Sequence, residues 1–361
     1  MDLKKRNTGI DLFRCVSMLM IVILHILLHG GILDNLQAGS VNYKIAWTLE
    51  CAAYCGVNCY ALISGYVGIN AGYRYSNIIY LWLQVVFFQL MSTVFFLITR
   101  PESVARWGLI RSFFPVSCGT YWYFTSYFAM FFFIPFMNYL VLNMKREQLR
   151  RMVILLIVLF SLLPTLVNRD IFGTDNGYNV FWLMALYIVG AYLRKYGEKH
   201  RKGIYPFIYL GCVAVTVGSR LVIEFIADRF GLFFDNGVLI SYTSPTILAA
   251  AIALLLFFSQ IMLPEFLGKV FFRLSGLTFG VYLLHDNPLI RQNFITGRLS
   301  SFAQLSPVNM VVTILLIAGG IYLLGCFIDY IRLLCFRVLK IRAICEKISL
   351  LPEFCFKKKE K

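Results

Sequence analysis

The sequence predicts an all-α, polytopic integral membrane bundle of about ten transmembrane helices with both termini cytoplasmic. Three observations carry that prediction. Of 361 residues, 59% are hydrophobic and only 14% charged, with a mean hydropathy of +0.73, which excludes an ordinary water-soluble enzyme. Apolar runs long enough to cross a bilayer follow one another along nearly the whole chain. With the N-terminus taken as cytoplasmic, the termini and loops on that side hold 24 of the 34 Lys and Arg residues and the opposite loops hold 8, the bias that orients membrane proteins.

The runs lie at 10–30, 45–68, 77–99, 121–143, 150–167, 178–194, 204–227, 240–262, 271–290 and 308–334. The first is read as a span and not a removable signal peptide, because charges interrupt it and no small-residue cleavage site follows. Residues 101–120 read as a short amphipathic or re-entrant outer segment. The fifth and sixth runs are short and are separated by a polar turn at 168–177. Residues 1–334 thus form a transmembrane domain. Residues 335–361 read as a basic amphipathic cytoplasmic tail lying along an anionic leaflet. No internal repeat is evident, which disfavours a transporter built from inverted repeats.

The net charge of +16 is spread over loop tips, so the expected partner is the lipid bilayer and not nucleic acid. The ten cysteines include no CxxC pair and no zinc spacing, and read as small packing residues.

The first run, IDLFRCVSMLMIVILHILLHGG, carries Asp11, Arg14, His25 and His29. Each ionisable group at membrane depth costs a few kcal/mol, so four on a lipid-facing anchor are not expected. Arg14 and His25 are eleven residues apart, which returns to within about 20° of one helix face, about 16 Å further along the axis. That face reads as the wall of a polar cavity. Asp11 can pair with Arg14 at i,i+3, and His25 has the side chain best suited to proton transfer near neutral pH. His25 and His29 are at i,i+4, but no carboxylate or further histidine neighbours them in sequence, so no metal is expected.

Further along, Tyr282 and His285 share a face in SGLTFGVYLLHDNPL, near the outer end of the ninth run. Arg220 and Glu224 are at i,i+4 in the seventh, as a structural clamp or part of a polar acceptor site. Trp122 and Tyr123 open the fourth, as an interfacial belt or a sugar-binding surface.

Together these segments resemble the integral-membrane acyltransferase family 3. Arg14-x10-His25, preceded by Asp11, matches its first-span signature. NCYALISGYVG matches its FF-x-x-SGY segment at Ser64, Gly65 and Tyr66, with Cys59-Tyr60 in place of the paired Phe. YWYF at 121–124 is similar to its Trp-Tyr-rich start of a middle span, and Ser275, Tyr282 and His285 match its late Ser…Tyr-Leu-x-His segment. The resemblance implies a multi-pass enzyme of the bacterial cytoplasmic (inner) membrane. Its acyl donor would be acyl-CoA, most often acetyl-CoA, entering from the cytoplasm. Its acceptor would be a hydroxyl of an envelope or exopolysaccharide glycan, and no cofactor would stay bound. His25 and Arg14 would be catalytic, with Asp11, Trp122, Tyr123, Arg220, Glu224, Tyr282 and His285 as substrate-binding candidates. Self-association or association with polysaccharide-synthesis proteins is the further partner expectation. The alternatives are a transporter or flippase for a lipid-linked sugar and a non-catalytic membrane sensing domain.

Overall fold

A computed structural model describes residues 6–197, 203–231 and 237–349. Lys4, Lys5, Lys199, Arg201, Lys202, Cys355 and the tail from 350 onward therefore lie outside the described residues. The described chain is helical throughout, with no strand among the described residues.

Helix α1 (Thr8–His29) begins where the Asn7 side chain accepts the Ile10 N–H at 3.2 Å, supplying a partner for one of the orphan donors of the first turn. Helices α2 (Val41–Ala53) and α3 (Gly56–Gly68) follow, then α4 (Tyr75–Thr99), the single turn α5 (Gly108–Arg111) and α6 (Trp122–Asn143). Helices α7 (Arg146–Ile157) and α8 (Leu163–Val167) join through a π-helical turn at Val158–Leu162. Pro164 lies just beyond that turn, and its missing N–H and bulky ring account for the widened winding. Next come α9 (Val180–Tyr196), α10 (Ile204–Phe230), α11 (Pro245–Ser259), α12 (Glu265–Ser275), α13 (Thr278–His285), the turn α14 (Pro288–Ile290), α15 (Pro307–Val338) and α16 (Ile341–Ile348).

Every run named from the sequence contains helix, although the eighth is helical only over Pro245–Ser259. Seven helical segments among the described residues are long and apolar enough to cross a membrane. The second run departs from expectation, because it is two 13-residue helices bent at Tyr54–Cys55. The bend seats Gly56 against α1, where a Cβ would stand 3.0 Å from the Ser17 carbonyl oxygen. The ninth run is likewise broken, between α12 and α13. Residues 101–120 form only short turns with exposed Trp107, Ile110 and Phe114, in keeping with a surface segment.

Burial separates a central helix from peripheral ones. In α1, 67% of the most apolar window is buried inside the protein, against 17% in α10. The helix that carries Asp11, Arg14, His25 and His29 is thus the most buried of the seven long segments, packed among α2, α3, α11, α12, α13 and α15. Helix α3 in turn packs on α9 through small residues. A Cβ at Gly65 would overlap the Tyr187 carbonyl and one at Gly190 the Leu62 carbonyl, so only glycine permits that backbone approach. The nine described cysteines are all free thiols.

Candidate active site on one face of α1

At the N-terminal end of α1, Arg6, Asp11, Arg14, Tyr66, Asn70 and Arg194 contribute to the lining of a cavity of about 520 Å³. Asp11 is 1% exposed, and its partners differ from the expected single pairing with Arg14. Arg6 binds it with both Nε and Nη2 at 2.7 and 2.6 Å, and Ser275 Oγ donates to it at 3.1 Å. Arg14 Nη1 is 3.5 Å away. The carboxylate is thus saturated by Arg6 and α12, and Arg14 keeps donors to offer the cavity. Arg194 reaches the same cavity from α9 with its guanidinium 5.1 Å from the Tyr66 ring centroid. Three guanidinium groups against one carboxylate make this an anion-attracting space.

At the other end of α1 the surroundings change. His25 borders a slot of about 20 Å³ lined also by Met18, Ile21, Val57, Tyr60, Trp122, Tyr123, Tyr242, Phe279 and Tyr282. That is room for about one water molecule. The slot and the wide cavity share no lining residue. Tyr60 lines the slot and lies within electrostatic reach of Arg14, its hydroxyl hydrogen-bonded to Thr278 Oγ1.

His285 is brought to His25 by a chain of supports. A Cβ at Gly280 would overlap the Asp329 side chain, and one at Gly325 would come 2.7 Å from Val281 Cα, so α13 lies directly on α15. Asp329 is itself fixed by Arg332 at 2.9 and 2.8 Å and by Gln84 at 2.8 Å. The Tyr121 hydroxyl donates to the Leu283 carbonyl at 2.7 Å and accepts from Asn287 Nδ2 at 3.1 Å.

The histidine pair has a determined proton order when both rings are neutral. His285 Nδ1 is 2.6 Å from the Val281 carbonyl oxygen, which can only accept, so Nδ1 carries the proton. His285 Nε2 is then a lone pair. His25 Nδ1, 2.9 Å from it, must donate. His25 Nε2 is left unprotonated, the state a general base requires. Tyr282 adds a hydroxyl that is buried in the same slot without a hydrogen-bond partner.

His29 lies beside His25 with its ring tilted by 52° and the centroids 5.0 Å apart. Folding also brings a carboxylate that the linear sequence hid: His25, His29 and Asp286 offer ligand atoms within 4.8 Å of one another. Zinc ligands at 2.0–2.1 Å from the metal sit about 3.3 Å apart, and Arg291 already holds Asp286 at 2.6 Å. The trio therefore fits a metal poorly.

Of the remaining candidates, Trp122 and Tyr123 line the slot, whereas Arg220 and Glu224 do not. Arg220 donates to the Tyr43 hydroxyl at 3.2 and 2.9 Å, pairs with Glu224 at 2.9 Å and lies 3.4 Å above the Trp47 ring. The Tyr43 hydroxyl donates to Glu224, so this group clamps α10 to α2.

Comparison with known sequences agrees with the geometry. A family profile described as an acyltransferase domain matches residues 7–330. The chain belongs to acyltransferase family 3. No curated protein and no solved structure matches it. This family 3 acyltransferase is a multi-pass membrane protein, and the matched region holds both ends of the α1 face, the slot and α13.

Sequence reading missed three residues of this arrangement. In the sequence Arg194 and Arg6 are two of the 24 cytoplasmic-side charges that set topology, and Tyr60 stands where the resembled segment has a Phe. Arg194 and Tyr60 acquire their places from helices distant in sequence, whereas Arg6 reaches Asp11 only five residues on.

Proposed function

We propose that this acyltransferase moves an acyl group, by family frequency acetyl, from acyl-CoA to a hydroxyl of an envelope or exopolysaccharide glycan. The observation that carries the proposal is the shared face of α1, with guanidinium groups around one cavity and a histidine holding a free Nε2 about 16 Å further on. Family membership favours acyl transfer over the transporter and sensing alternatives.

In the proposed orientation the Arg14 end faces the cytoplasm of a bacterial inner membrane. Arg6, Arg14 and Arg194 hold the phosphates of the donor, and its thin thioester arm passes Tyr60 toward His25. The acceptor hydroxyl comes from the opposite side. His25 Nε2 takes the hydroxyl proton as the oxygen attacks the thioester carbonyl. Tyr282 donates a hydrogen bond to the oxyanion that forms. Collapse breaks the carbon–sulfur bond, the imidazolium returns the proton to the leaving thiolate, and ester and free CoA result. His285 holds His25 in the required tautomer throughout. Fixing both reactants in a nearly dry slot supplies several kcal/mol of the barrier reduction.

The test uses purified protein in lipid nanodiscs with [14C]acetyl-CoA and base-deacylated envelope glycan from the producing cells. Wild type is expected to form base-labile labelled glycan, and His25→Ala to form essentially none. An inactive wild type would refute acyl transfer to glycan; equal turnover by His25→Ala would refute the assigned base.

A further inference from the structure

Beyond the His25 slot lies a second polar space. The loop between α8 and α9 and the segment before α11 enclose a cavity of about 400 Å³, within the size range of ligand sites. Its walls include Tyr54, Asn168, Asn176, Tyr178, Ser241 and Thr243.

The walls are built, not loose. Asp170 accepts the Thr174 N–H and hydroxyl, both at 2.8 Å, and the Asp175 N–H at 2.5 Å. Partial burial opposes its charge, but these hydrogen bonds outweigh that and keep the carboxyl below its ordinary value. Ser241 Oγ donates to the Asn176 carbonyl at 3.2 Å and so ties the two loops together. Beneath them, Asn58 bridges from the Trp182 indole N–H to the Tyr242 carbonyl at 3.1 and 2.7 Å.

Four aromatic rings form the partition between this cavity and the catalytic slot. Tyr54 and Tyr178 face the cavity, while Trp122 and Tyr242 line the slot. Tyr178 is 4.6 Å from Trp122 and 4.9 Å from Tyr242, and Tyr54 is 5.0 Å from Tyr242, centroid to centroid. The polar cavity is therefore separated from the space His25 borders by two contacting ring layers.

A separate observation also points to a ligand. Glu50, one turn before Tyr54 on α2, is 3% exposed, and its Oε2 has no hydrogen-bond partner. It lies within electrostatic reach of the Tyr54 and Tyr178 hydroxyls and, on its other side, of the Arg220 guanidinium. A buried carboxyl oxygen without a hydrogen-bond partner is costly, and a ligand hydroxyl entering past the two tyrosines would satisfy it.

We propose that this cavity is the acceptor-specificity subsite. It would seat a carbohydrate with its apolar ring face on Tyr54 and Tyr178 and its hydroxyls on the Asn168, Asn176, Ser241 and Thr243 side chains. The aromatic partition is what the reacting hydroxyl crosses to reach His25. This inference rests on the acyltransfer proposed above, and it assigns acceptor choice to residues remote from the α1 face.

The experiment measures, in nanodiscs with [14C]acetyl-CoA and base-deacylated envelope glycan, the ratio of glycan ester formed to acetate released by water. Asn168→Cys is labelled with a bulky maleimide. Leu166→Cys, 70% exposed and outside the cavity lining, is labelled identically and controls for the exposed native thiols Cys118 and Cys335. The expected result is a fall in the ratio of about tenfold or more for blocked Asn168→Cys and for Tyr178→Ala, seen as a raised KM for glycan, with blocked Leu166→Cys at the wild-type ratio. A blocked Asn168→Cys that keeps the wild-type ratio and glycan KM overturns the subsite. Wild type that neither transfers nor hydrolyses refutes the acyltransfer reading itself, a separate outcome.

Discussion

The two ends of one helix face differ in almost every physical respect. Around Arg14 the space is about 520 Å³ and is bordered by three guanidinium groups; around His25 it is about 20 Å³ and is bordered mostly by aromatic rings. Both ends belong to α1, and the helix repeat alone puts them in line. What differs is the company each keeps. Asp11 and Arg194 set the charge at one end, while α3, α6 and α13 close the other. A wide cationic mouth suits a large, anionic, mobile group. A closed slot suits a reaction that must exclude water.

That contrast can be broken at either end. The largest effect is expected from His25→Ala, with kcat lower by about 10²–10⁴, the usual contribution of a general base. Donor affinity, followed by equilibrium binding of CoA, should be near wild type. A matching loss of CoA binding would mean that the two ends are not separate. Tyr282→Phe should lower kcat by about 10² if its unpartnered hydroxyl serves the oxyanion, with KM for acetyl-CoA little changed. A wild-type kcat would remove Tyr282 from the chemistry.

At the wide end, Arg194→Ala should raise the acetyl-CoA KM by about tenfold and leave kcat nearly intact, since a charge-assisted contact to a phosphate is worth about 1.5–3 kcal/mol at most. The inverse pattern, low kcat at normal KM, would place Arg194 elsewhere in the mechanism. Tyr60→Phe tests the division itself. Removing its hydrogen bond to Thr278 should ease the passage and raise kcat by about two- to fivefold, the scale of one neutral hydrogen bond. A severe loss would show that Tyr60 holds the substrate and does not merely separate the two spaces. The smallest change is expected from Arg220→Met, which breaks the Tyr43–Glu224 clamp. Its effect should fall on the melting temperature, with kcat/KM within about threefold; a selective loss of kcat/KM would return Arg220 to the site.

The histidine pair shows how far sequence reading reached. Tyr282 and His285 could be placed together, because i,i+3 spacing is a local property of helix geometry. Their distance from His25 could not, because 260 residues of chain separate the two imidazoles. The Asp11–Arg14 spacing was equally legible and gave an incomplete answer. Arg6 and Ser275 compete for the same carboxylate, and Ser275 arrives from another helix. Arg220 and Glu224 paired as their i,i+4 spacing suggested, yet their partners Tyr43 and Trp47 lie on α2, away from the slot. The bend at Tyr54–Cys55 was invisible because Cys51–Ala53 before it and Gly56–Val57 after it are small or apolar and no proline marks it.

By itself the sequence determined that this chain is a helical membrane protein, that α1 carries a polar face, and that its ordered motifs are those of an acyltransferase family. The first two follow from composition and a 3.6-residue repeat and the third from the resemblance of its motifs, none of which needs a partner helix. Tertiary structure alone decided the width of each end of that face, the proton order of the two histidines and the presence of Arg194 in the cavity that Arg14 lines. Each depends on backbone approaches that glycines allow and on hydrogen bonds between helices far apart in the chain. Cavity shape and tautomer are properties of such meetings, not of any one segment.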